Sequence, residues 1–159
     1  MLNVKSDAGD VQVVKSGKTQ TVIFPADYAK QLYPKEPYRK FFTPDTSVVK
    51  NINAAFKDQY CAASDKFDKK NQMPPMSDKF CLAELRTYTY CDKQLIGYVD
   101  GFGNKIVKVK IIDFRQDPHN LKQSFTKFWI NGWHGWFYQN VRNVTYHVES
   151  DLLTINDDI

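Results

Sequence analysis

The sequence predicts an α+β fold: one long helix packed on a curved antiparallel β-sheet of four or five strands, with an N-terminal β-hairpin ahead of them. Three observations carry this reading. Val48, Val49, Ile52, Phe56, Tyr60 and Ala63 recur at helical spacing. Val107, Val109 and Ile111 alternate with Lys108 and Lys110, the two-residue period of a strand. Glycine-bearing turns separate further runs of β-branched and aromatic residues. The 159 residues are read as one domain. Residues 1–42 supply the hairpin and a proline-rich lead-in, and residues 43–159 supply the helix and an antiparallel meander.

Val11–Val14 and Thr19–Phe24 flank Lys15-Ser16-Gly17-Lys18 and read as the hairpin. Pro25, Pro34, Pro37 and Pro44 make the next stretch irregular, with one or two helical turns near Asp27–Leu32. Thr43-Pro44-Asp45 is a helix start: Thr caps free amides, Pro suits the first position and Asp favours the positive end of the dipole. The helix should leave Lys50, Lys57 and Asp58 in water and stop before Pro74-Pro75. The charged segment Asp65–Lys79 is read as a loop.

From Phe80 onward the pattern reads as strands. Thr87-Tyr88-Thr89-Tyr90 alternates, and Lys93–Val99 continues with Gly97 marking a bulge or a close approach. Asp100-Gly101-Phe102-Gly103-Asn104 turns the chain into Lys105–Ile112, whose lysine-bearing face should be partly wet. Arg115–Lys122 is read as a loop. Ser124–Ile130, Trp136–Arg142 and Leu152–Ile155 complete the predicted strands.

Composition narrows the function classes. Hydrophobic residues are 42% and charged residues 25%, as in a folded chain. No stretch approaches 18 consecutive apolar residues, so no transmembrane helix is expected. The net charge is +4, but only Arg39, Arg86, Arg115 and Arg142 are arginines and the lysines are interleaved with acids, which argues against nucleic-acid binding. Cys61, Cys81 and Cys91 contain no CxxC and suggest no zinc site. They read either as three small buried hydrophobes or as a Cys61–Cys81 disulfide with Cys91 free. In the second reading Cys61 ends the helix, Cys81 opens a strand, and the closed loop adds about 3 kcal/mol. The first residues lack the apolar core of a signal peptide. The chain is therefore either cytoplasmic or the mature part of an exported protein, and the exported reading is preferred. Asn143-Val144-Thr145 is a formal glycosylation sequon.

Lys93-Gln94-Leu95-Ile96-Gly97-Tyr98-Val99-Asp100, followed by Gly103-Asn104-Lys105-Ile106-Val107, resembles the strand-turn-strand pattern of a group of small uncharacterised bacterial proteins, often exported. Gly135-Trp136-Phe137-Tyr138-Gln139-Asn140-Val141 is similar to the strand that follows in that group, and the Thr-Pro-led helix matches as well. Lys93 stands where the group has Arg, and Trp136 replaces the second glycine of a pair. The resemblance implies a cystatin-like or NTF2-like fold and transfers no catalytic motif. Gln12-Val13-Val14-Lys15-Ser16 begins like the inhibitory loop of true cystatins and then departs from it.

No reaction is written in the motifs. His119, His134 and His147 lack metal spacing, and no nucleophile elbow, Walker loop or dinucleotide fingerprint is present. No cofactor is expected. Glu84, Asp92, Asp100 and Asp113 could face a concave sheet, with Asp113 beside Tyr98 or His134 as the pairing a pocket enzyme would use. The distinctive feature is aromatic density: Phe125, Phe128, Trp129, Trp133, Trp136, Phe137, Tyr138 and Tyr146 gather in one stretch. Trp133-His134-Gly135-Trp136 lies at a predicted turn, and aromatics beside polar groups stack on sugars or partner proteins. Trp133, His134 and Trp136, with Tyr98, are therefore the candidate binding residues. Equally, Trp129 and Trp136 read as core on one sheet face. Three functions follow: a non-enzymatic module that contacts a protein or glycan through the aromatic turn; a small pocket enzyme or ligand carrier; and a structural subunit that forms a homodimer through its sheet.

Overall fold

The computed structural model describes residues 10–132 and 134–155. They form an α+β fold with seven strands in one mixed sheet, four α-helices and a short 3-10 turn. The predicted hairpin is present as β1 (Gln12–Ser16) and β2 (Thr19–Ile23), turning at Gly17 with a φ of +60°. The helical turns of the lead-in are α1 (Ala26–Leu32). A short strand follows that the prolines concealed, β3 (Lys40–Phe42).

The long helix is α2 (Val48–Lys70). Val48, Val49, Ile52, Phe56 and Tyr60 are its buried stripe, and Lys50, Lys57 and Asp58 are exposed. Its start and stop differ from expectation. The Thr43 hydroxyl accepts from Ala26 N at 3.0 Å, so it serves the opening of α1, while Asp45 Oδ1 takes Ser47 N at 3.1 Å. The helix also runs two turns past Ala63, because Asp65–Lys69 is a favourably ordered i,i+4 pair at 2.9 Å and Lys69 and Lys70 suit its negative end.

The largest correction lies between Ser77 and Tyr88. The segment predicted as strand is the helix α3 (Asp78–Tyr88), capped by the Ser77 hydroxyl accepting from Phe80 N at 3.2 Å. Cys81, Glu84, Leu85 and Tyr88 lie on its inner side at helical spacing. Cys81 therefore sits inside a helix rather than opening a strand. A disulfide joins it to Cys61 of α2, and Cys91 is free.

The sheet is centred on β4 (Asp92–Val99) and β5 (Lys105–Ile112), continuing to β6 (Val141–His147) and β7 (Leu152–Thr154) as an antiparallel meander. The other edge of β4 is divided. Its first half pairs with β2 in parallel, Thr21 opposite Lys93, and its second half pairs with β3 antiparallel, Lys40 opposite Val99. A parallel pair needs a crossover, and here the crossover is the whole of α1, β3, α2 and α3. In place of the expected four- or five-stranded antiparallel sheet there is one mixed sheet of seven strands. Gly97 lies where a Cβ would stand 2.7 Å from Phe42 O, so the pairing with β3 requires its bare backbone.

Each face of the sheet has its own core. Ile23, Leu95, Val107, Val109, Ile111, Val144, Tyr146 and Leu153 pack under α2 and α3. Val22, Ile96, Ile112 and Val141 pack on the other face with Phe24, Tyr28 and Leu32, and with Leu121, Phe125, Trp129, Ile130 and Phe137. That second face was expected to be partly wet. It is covered instead by the chain between β5 and β6, which is not strand: it holds the 3-10 turn Leu121–Ser124, irregular chain to Gly132 and the one-and-a-half-turn α4 (Gly135–Asn140). Lys110 is consequently only 5% exposed.

Candidate functional site

The covering segment is irregular, so its backbone groups have no ladder to join and need partners from elsewhere. The sheet supplies them with side chains. Gln94 of β4, fully buried, donates from Nε2 to Phe125 O at 2.8 Å and Phe128 O at 2.7 Å, and its Oε1 accepts from Ile130 N at 2.8 Å. The Tyr28 hydroxyl of α1 accepts from Trp129 N at 2.8 Å. Lys110 of β5 donates from Nζ to Ile130 O at 2.6 Å and to Asn131 Oδ1 at 3.5 Å, with the Trp129 ring 4.7 Å away. Burial, reinforced by the charge of Lys108, pushes the Lys110 ammonium down to about 7.

Where this segment meets α4 and the end of α1, the covering is incomplete and a cleft of about 720 Å³ remains. Lys108, Lys110, Val141 and Asn143 from β5 and β6 form its floor. Trp129, Asn131 and Gly132 border it on one side, Phe137 and Tyr138 of α4 on another, and Leu32 and Tyr33 on a third. Phe137 lies flat against Gly132, where any side chain would collide with the ring. Tyr138 is 70% exposed at the rim. Arg142 reaches the cleft from the sheet edge, but its charge is matched by Glu84 at 3.0 Å.

The residues singled out from sequence are dispersed around this cleft. Trp133 lies outside the described residues. His134, exposed at the start of α4, meets His119 and Phe137 edge-on at 5.2 and 4.7 Å. Trp136 is half-buried, and its indole N–H donates to Gln116 O at 2.8 Å, tying α4 to the preceding loop. Tyr98 shares the sheet face but stands towards its other end. Arg39 lies 4.9 Å above its ring and 5.8 Å above that of Tyr33, which does line the cleft. Burial raises the Tyr98 phenol above its usual range. Asp113 is beside neither Tyr98 nor His134 in any hydrogen bond described; both its carboxylate oxygens are taken by Arg115, at 3.0 and 2.8 Å, and hydrogen bonds from that residue hold it below the usual carboxylate range against the cost of burial.

Other reactive groups are occupied as well. The Cys91 thiol donates to Thr87 O at 3.0 Å, and burial pushes it up to about 11, away from thiolate chemistry. His147 Nε2 is 3.0 Å from the Thr154 hydroxyl. Among the described residues no group of His, Cys, Asp or Glu could hold a metal ion, and no helix is long and apolar enough to cross a membrane.

Sequence reasoning passed over the cleft because its floor looked like a solvated strand face. The available signal was the company those lysines keep: Lys108 and Lys110 stand between Val107, Val109, Ile111 and Ile112, close in sequence to an aromatic-rich stretch long enough to cover them. Comparisons of the chain with protein-family models, curated proteins and solved structures find no match.

Proposed function

We propose that this chain is a non-enzymatic binding module that receives a small ring-bearing ligand, such as a glycan unit, in the cleft between α1, α4 and the sheet. The cleft itself is the observation that supports this reading. Its volume of about 720 Å³ falls in the range of small-ligand sites. Trp129, Phe137 and Tyr138 offer ring faces and edges, and Asn131 and Asn143 offer amide donors and acceptors, the combination that suits a sugar. The Trp133-His134-Gly135-Trp136 segment follows Gly132 of the cleft directly in sequence. The occupied states of Cys91, His147 and Asp113 favour binding over catalysis. The Cys61–Cys81 disulfide favours an exported location. The order of α2 followed by the β4–β7 meander is what supports the cystatin-like or NTF2-like reading.

The test is a titration of isotopically labelled protein with a panel of mono- and disaccharides, followed by backbone amide shifts. The expected result is saturable shifts at Lys108, Gly132 and Phe137, abolished by Tyr138→Ala, an exposed position whose loss leaves the fold intact. Panel-wide silence at those amides would remove the reading.

A further inference from the structure

We propose that the cleft is an anion site: Lys110 receives a carboxylate whose attached ring lies against the aromatic walls. The proposal rests on the binding reading above and specifies its ligand class. Three observations carry it. Lys110 is buried, and every partner shown for its ammonium is neutral: the Ile130 carbonyl, the Asn131 amide oxygen and the Trp129 ring. An ammonium withdrawn from water with no opposite charge is under-compensated, and an anion in the adjoining space supplies what is missing. Lys108, two residues along the same face, borders the same space, and its charge bears on Lys110. The described residues lining the cleft include no Asp or Glu at all, while Arg142, already matched by Glu84, only adds to the positive field.

Among the described residues lining the cleft, four other titratable groups accompany Lys110. Lys108 shares its strand, Arg142 comes from β6, and Tyr33 and Tyr138 stand at the end of α1 and on α4. Its register partner on β4 is the neutral Gln94, and on β6 the neutral Asn143. A carboxylate entering this set finds Lys110 half-protonated near neutrality and completes its protonation, so binding takes up a proton.

Two chemical sources share this carboxylate, an acidic sugar and an aromatic acid. The experiment therefore titrates galacturonate, benzoate and the neutral galactose by calorimetry at pH 7.5, in two buffers of different ionisation enthalpy. The expected result is that galacturonate, benzoate or both bind at least about ten-fold tighter than galactose, with net proton uptake. Asn143→Asp places an acid opposite Lys110 at an exposed position, and it should lower the affinity for the carboxylates relative to galactose about ten-fold. Galactose binding as tightly as galacturonate, or Asn143→Asp leaving both acids unaffected, overturns the anion site and leaves the binding module standing. Benzoate binding alone upholds the anion site and removes the glycan. No heat and no amide shift from any of the three overturns both.

Discussion

One face of the sheet lies under a 23-residue helix; the other lies under irregular chain with a single short helix, and the residues beneath them differ accordingly. Helix α2 satisfies its own backbone, so the sheet residues that form the core beneath it, from Leu95 to Leu153, are apolar, with Lys93 and Thr21 buried at its margin. The segment between β5 and β6 cannot do so, and the surface it covers contains Gln94 and Lys110, polar side chains whose work is to hydrogen-bond another stretch of backbone. On this face the buried Gln94 and Lys110 mark where regular structure is missing above the sheet. They also mark where the covering is incomplete, and the cleft opens beside them.

The contrast can be broken most severely at Gln94. Gln94→Leu leaves two carbonyls and one N–H without partners, at about 1–3 kcal/mol each, so a loss of about 5 kcal/mol is expected in urea unfolding. Hydrogen exchange should place the opening in residues 121–132 before the rest. Protection lost equally under α2 would mean that the two faces are not separately held. On the helical face Phe56→Ala should cost about 4 kcal/mol, a cavity effect, with exchange rising uniformly because no local unit can open alone. Tyr28→Phe tests a single bond of the irregular face. It removes the acceptor of Trp129 N, and a loss of about 1–2 kcal/mol is expected; a neutral result would show that the indole-bearing residue finds another acceptor.

The smallest effect is a pH slope. Lys110 is pushed down to about 7 and Lys93, on the opposite face, to about 8, both by burial, from the usual 10.5. Between pH 7 and 9 the unfolded chain binds more protons than the folded one at these two sites, so stability should rise with pH across that window. The penalty is present in full below pH 7. Above about pH 9 Cys91 opposes the trend, because its folded thiol stays protonated to about 11. A Tm that climbs a few degrees from pH 6.5 to 8.5, and climbs less in Lys110→Met, is the expected outcome. A Tm that falls over the same interval would contradict it.

Legibility in the sequence follows the same division. Helix α2 and strands β4 and β5 were readable because one buried face imposes a period of 3.6 or 2 on their residues. Helix α3 was misread because Thr87-Tyr88-Thr89-Tyr90 imitates a strand, although Ser77 and the spacing of Cys81, Glu84, Leu85 and Tyr88 carried the correct signal. Among the described residues of 121–140, only Leu121, Phe125, Trp129, Ile130 and Phe137 are buried, and contact with the sheet rather than regular structure sets their positions. The cleft is less legible still. Lys108, Trp129 and Tyr138 come from three separate stretches of the chain, and nothing local to any of them announces the others. On the lysine-bearing face, expected to be partly wet, Lys110 is covered within the chain itself while Lys108 stays half-buried.

The bond between Cys61 and Cys81 makes a closed ring of the end of α2, the Asn71–Ser77 connection and the start of α3. Most of that connection is exposed, with Pro74 and Pro75 in its middle, the type of segment proteases reach first. A molecule cut there once does not come apart. It migrates as an intact chain until a reductant is added and then separates into two fragments, so a band that splits only under reducing conditions reports a nick in this ring rather than a mixture of two proteins.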